Sequence, residues 1–163
     1  MSDLWRELPL SGRGHVDESG VGGGWRTELD AVRQAASQAL ATHPDAEAAD
    51  AFEAALRTPR PRRDGRTRPV KLAELDRAVY GYLDLCTRLE VAPQLTPRAS
   101  GAVALGRAAA ARTSIRAVIA GHTLRASDAG WEFGRGPVLE DTAVGLLEFL
   151  RGRTLRAPRP PAD

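Results

Sequence analysis

The chain has 163 residues, 23 of them basic and 21 acidic, for a formal charge of +2. That is the size of one domain. Lys71 is the one lysine, so the pI near 9.2 rests on arginine. Heavy Ala, Arg, Gly and Pro usage is what GC-rich genomes encode, so the arginines are not read as evidence for nucleic acid.

Cys86 stands alone, which excludes an intramolecular disulfide and a thiol pair for a metal. No basic-then-apolar leader opens the chain, and no run reaches the ~18 apolar residues of a membrane span. A cytoplasmic setting without a membrane partner is expected.

Residues 1–24 read as an irregular segment. Leu4, Trp5, Leu8 and Leu10 can dock as a short clip, but the glycines that follow favour no regular element. A first helix is predicted from Trp25 to Ala41, because Trp25, Leu29, Val32, Ala36 and Leu40 form one apolar stripe. His43-Pro44 stops it, and Asp45 caps a second helix to Arg57 with Phe52, Ala55 and Leu56 inward. The Pro/Arg-rich stretch 58–69 has nothing to pack and is predicted as a loop.

The clearest element is the third helix. Leu72, Leu75, Val79, Tyr82, Cys86 and Leu89 step 3-4-3-4-3, a seam that suits an antiparallel bundle or a homodimer contact. Thr96-Pro97 then supplies an N-cap and a first-turn proline for an alanine-rich helix to about Ala120, interrupted near Thr113-Ser114-Ile115.

From His122 the period changes to two. Thr123, Arg125 and Ser127 alternate with Leu124 and Ala126, predicting a half-buried strand. Asp128-Ala-Gly130 turns, Trp131–Phe133 is a second strand, Gly134-Arg-Gly136-Pro137 turns again, and Val138-Leu139 is a third. Asp141 or Thr142 caps a last helix with Val144, Leu147 and Leu150 as its stripe and Gly152 past its end.

The expected fold class is therefore α+β and mostly helical. Three to four bundled helices are followed by a small β-meander and a C-terminal helix. The boundaries are 1–24 irregular, 25–120 helical with the basic loop 58–69, 121–154 a small α/β module, and 155–163 a disordered tail.

The spacing Asp128-x-x-Trp131-x-x-Gly134-x-Gly136-Pro137, then Ala143-x-x-Leu146-Leu147-x-x-Leu150-x-Gly152-Arg153, resembles the C-terminal segment of the mycothiol-dependent maleylpyruvate isomerase-like family. The resemblance covers about residues 120–154. It implies a DinB-like helical bundle, followed by a small α/β segment related to sterol carrier proteins. It also implies a divalent metal held by three histidines in the bundle, with mycothiol as cofactor.

This chain offers His15, His43 and His122, none paired at the i, i+4 spacing that puts two ligands on one helical face. No metal site and no catalytic residue is expected, and mycothiol rests on the resemblance alone. The expected function is a non-catalytic small-molecule or protein-binding module, with an active thiol-dependent isomerase or transferase as one alternative.

The candidate ligand contacts are His122, Arg125 and Arg135, set around an aromatic layer of Trp131 and Phe133 on the last helix, for a small acidic ligand. Asp128 reads as a turn residue, Trp131 and Phe133 as core, Arg153 as a solvated helix end, and Cys86 as buried and inert. A second alternative is a helix-turn-helix DNA-binding regulator over residues 102–121. Ala110 there occupies a turn position that normally takes a left-handed glycine. Few Asn, Gln or Ser side chains are present to read bases, so no sequence-specific nucleic-acid contact is expected.

Overall fold

The computed structural model of the chain describes residues 24–57 and 69–161. The glycine-rich opening with Trp5 and His15, and nearly all of the Pro/Arg loop, lie outside the described residues.

Four helices come first: α1 (Arg26–Thr42), α2 (Ala46–Leu56), α3 (Leu72–Leu89) and α4 (Pro97–Ala109). Their boundaries follow local chemistry. The Asp45 carboxylate accepts the Ala48 N–H at the start of α2, and the Thr96 hydroxyl accepts the Ala99 N–H at the start of α4, each satisfying an orphan donor. α3 ends where Glu90 takes a left-handed φ of 56°.

α3 is the central element and packs on α1, α2 and α4. Leu75, Val79, Tyr82 and Cys86 of its seam are buried within the chain itself. Leu72 and Leu89, at its ends, are only partly buried. Each fully buried large side chain contributes about 1.5–3 kcal/mol. α2 lies so close to α3 that a Cβ on Gly81 would stand 2.9 Å from that of Ala55.

The alanine-rich segment does break, but at 110–112, while Thr113-Ser114-Ile115, the expected interruption, open the next helix. Three residues separate α4 from the short α5 (Thr113–Ile119), whose Ile115 is buried.

The strands are β1 (Thr123–Ala126), β2 (Glu132–Gly134) and β3 (Val138–Asp141), and α6 (Ala143–Arg151) closes the fold. The fold class is α+β and mostly helical, but the sheet is not a meander. Its order is β2-β1-β3, with β1 antiparallel to β2 and parallel to β3.

The chain therefore crosses the start of β1 in the three residues between β2 and β3. Only glycine permits this. A Cβ on Gly134 would lie 2.3 Å from the His122 carbonyl oxygen, and one on Gly136 would lie 2.0 Å from that of Gly121. The Pro137 carbonyl accepts the Thr123 N–H at 2.9 Å, completing the strap.

α6 is capped three times. Thr142 Oγ1 accepts the Gly145 N–H, Asp141 accepts the Thr142 N–H, and Asp128 accepts the Ala143 N–H at 2.7 Å. Asp128 thus bonds across the module and not to its own turn. Two carboxylates also meet the positive pole of the helix.

The core is continuous from the first helices into the α/β segment. Leu146 and Leu147 of α6 are fully buried, and Tyr80 of α3 donates its hydroxyl to the Leu147 carbonyl at 2.8 Å. The tail expected to be disordered is pinned in part: Glu140 and Arg159 exchange backbone hydrogen bonds, and Pro158 is buried.

Candidate functional site

Strand alternation divides the sheet into two faces. Leu124, Ala126 and Leu139 point inward and are buried. On the outer face Arg125 stands between Glu132 of β2 and Glu140 of β3. Its Nε donates to Glu132 Oε2 at 2.9 Å, and its Nη1 lies 3.9 Å from Glu140 Oε2.

Beside this row lies a cleft of about 350 Å³ whose lining includes Arg125, Ser127, Gly130, Trp131, Glu132 and Glu140. One guanidinium faces two carboxylates, so the local charge does not favour an acid.

The three residues expected to form one rim do not assemble. Arg125 alone lines the cleft. His122 precedes β1 at its far end, half-buried, with Nδ1–H donating to the Ala120 carbonyl at 3.0 Å. Arg135 is exposed on the strap, also at the start of β1. The period-two pattern placed Arg125 outward, but His122 and Arg135 flank the Thr123 end of β1, away from the cleft at its Arg125–Ser127 end.

Trp131 also differs from expectation in its partner. It stacks on Phe133, with ring centroids 5.6 Å apart, and it packs on α4. Its Nε1–H donates to Ser100 Oγ at 3.0 Å, and its ring stands where a Cβ on Gly101 would be 3.1 Å away. The signal in the sequence was the Ser100-Gly101 pair within a helix, a small polar notch of the kind an indole requires.

A second cluster was not anticipated. Arg107 of α4 and Arg151 and Arg153 at the end of α6 all approach the buried ring of Tyr80, at 5.3, 4.1 and 5.3 Å from its centroid. Asp76 accepts both arms of Arg107, with Nε at 2.6 Å, and Asp84 accepts both arms of Arg153 at 2.5 and 3.0 Å. Arg153 is thus a partner of α3 and not a solvated helix end. With Glu148 near Arg153, three cations meet three carboxylates, and the cluster ties α3, α4 and α6 together. Burial, more than the nearby Asp76 charge, pushes the Tyr80 phenol well above its ordinary range.

Cys86 is buried and its thiol is pushed up by that burial, the state of an inert core thiol. Burial likewise raises the Tyr82 phenol, which accepts the Gln94 N–H at 3.1 Å. A smaller cleft of about 210 Å³ lies above Tyr82, bounded by Gln38, Thr42, His43, Val91 and Gln94. Among the described residues no three His, Cys, Asp or Glu side chains converge as metal ligands.

Compared with known proteins, the chain matches no family model, no curated protein and no solved structure.

Proposed function

We propose that this protein is a non-catalytic binding module related to the maleylpyruvate isomerase-like, DinB-related proteins, and that its ligand seats in the cleft beside Trp131. Four helices leading into a small α/β segment are the order which that resemblance implies. The observation that carries the binding reading is Arg125 held between Glu132 and Glu140 next to an indole. A site of one guanidinium and two carboxylates suits a small molecule bearing an amine or guanidine, with the aromatic edge as a platform. The small acidic ligand implied by counting arginines is the weaker reading, because Arg125 is already neutralised.

Binding is tested by following Trp131 fluorescence in a Trp5→Phe/Trp25→Phe background. Arginine methyl ester and spermidine should quench it saturably, and Glu132→Gln/Glu140→Gln should abolish the effect. Saturable binding of maleate with no response to the cations would overturn the assignment. Elemental analysis addresses catalysis. Stoichiometric zinc, nickel or iron lost on mutating His15, His43 and His122 would instead support a thiol-dependent isomerase or transferase.

A further inference from the structure

From Pro97 to Ser127 the chain carries five arginines and not one acidic residue. GC-rich coding explains many arginines, but it does not explain the missing carboxylates. The tertiary structure supplies partners from elsewhere for three of the five: Glu28 for Arg98, Asp76 for Arg107, and Glu132 with Glu140 for Arg125. Arg112 and Arg116 are left. Both are exposed, and among the described residues neither has an ion-pair partner.

They lie four residues apart, about 6 Å along the helix, on the outward side of α5. Ile115, about 100° round the helix from Arg116, is buried in the core. The Ile115 side chain reaches to 3.8 Å from where a Cβ on Gly152 would stand, so α5 is braced against the end of α6 and does not swing freely.

We propose that the α4–α5 corner is a sequence-independent docking surface for duplex nucleic acid, with Arg112 and Arg116 on backbone phosphates. Thr113 and Ser114 are exposed beside them and add hydroxyl donors of the kind that phosphate contacts use. Residues 113, 114 and 117, exposed beside the two arginines on α5, hold no large apolar side chain, while Leu105 of α4 is an exposed one. Three residues join α4 to α5, but the pair is not a sequence reader. α5 has only seven residues, and Ala110 has φ −98° where a left-handed turn residue would be needed to set a recognition helix.

The test is a titration of isotope-labelled full-length protein with two 20-bp duplexes of unrelated sequence, followed by amide shifts between 50 and 200 mM salt. Both duplexes should bind alike, with a Kd on the order of 100 µM at the lowest salt and a log–log salt slope of about −2 for two phosphate contacts. Arg112→Gln or Arg116→Gln should each reduce the slope by about one. The Arg112→Gln/Arg116→Gln pair should remove binding while leaving the melting temperature unchanged. An unaltered slope in the double variant would overturn the proposal. So would no saturable shift at 50 mM salt, a preference for one sequence that survives 200 mM, or binding to phosphatidylserine vesicles with none to DNA.

Discussion

At the scale of single residues, side chains of the same type take opposite roles according to what surrounds them. Trp131 is half-buried, yet its indole N–H is the partner of a Ser100 hydroxyl with no exposure at all. Trp131→Ala should therefore cost about 2–4 kcal/mol in urea denaturation, near the lower part of the range for large-to-small core changes. Arg135→Ala, on the exposed strap, should leave the curve within about 0.5 kcal/mol; equal losses in both would show that the strap itself anchors the fold.

The two tyrosines give a second prediction. Both phenols are raised, chiefly by burial. An unfolded phenol titrates near 10, so at pH 10 the native protein should show little phenolate absorbance, and urea-unfolded protein about half of the full signal. The sign follows from linkage. Stability is fully present below pH 10 and is lost as pH rises toward the folded values, because only the unfolded state releases the proton. Native phenolate absorbance at pH 10, with the fold intact, would place a tyrosine in water.

At the scale of elements, the ends and crossings are where strain and tolerance are concentrated. Glu90 is the one non-glycine residue among the described positions with positive φ. Relieving it with Glu90→Gly at this exposed C-cap should add about 0.5–1 kcal/mol, and a loss of stability would mean that the Glu90 side chain makes a contact worth more than the strain. The strap between β2 and β3 is the opposite case. Gly136→Ala meets both a φ of 110° and the Gly121 carbonyl, so it should cost at least about 2 kcal/mol and weaken β1–β3 pairing. Hydrogen exchange at Thr123, whose N–H donates to Pro137, reports that pairing directly.

At the scale of the whole molecule, α3 is the shared partner of the bundle and, through Tyr80, of the last helix. Val79 has no exposure within the single chain. Val79→Asp should therefore unfold the protein outright, and by the same amount at every protein concentration, since a lone charge in an apolar core costs several kcal/mol. A melting temperature that depends on concentration would instead place the seam between two copies. The arginine cluster around Tyr80 adds cohesion of a different kind. Its arginines are each about one-third exposed, so its contribution is discounted for screening by water and salt.

What the sequence by itself determined is local: where helices begin and end, and which faces are apolar. The 3-4 stepping of Leu72 to Leu89 gives the bounds of α3, Asp45, Thr96 and Thr142 cap their helices, and Gly152 ends α6 in the left-handed region, because caps and periodicity depend on neighbours within a turn or two. The alternation around Leu124 and Arg125 likewise separates the inner from the outer face of β1.

The tertiary structure alone decided which faces meet. The parallel pairing of β1 with β3 depends on a strap crossing over His122, and nothing local distinguishes that crossing from the turn of a meander. The apolar stripe of α6 drew the expectation for Trp131; the Ser100 hydroxyl and the missing Cβ at Gly101 seat it on α4. Partner choice among the arginines follows the same logic. An arginine's charge is written in the chain, but whether a carboxylate 31 residues away meets it, as Asp76 meets Arg107, or none of the described residues does, as at Arg112, depends on how the helices pack.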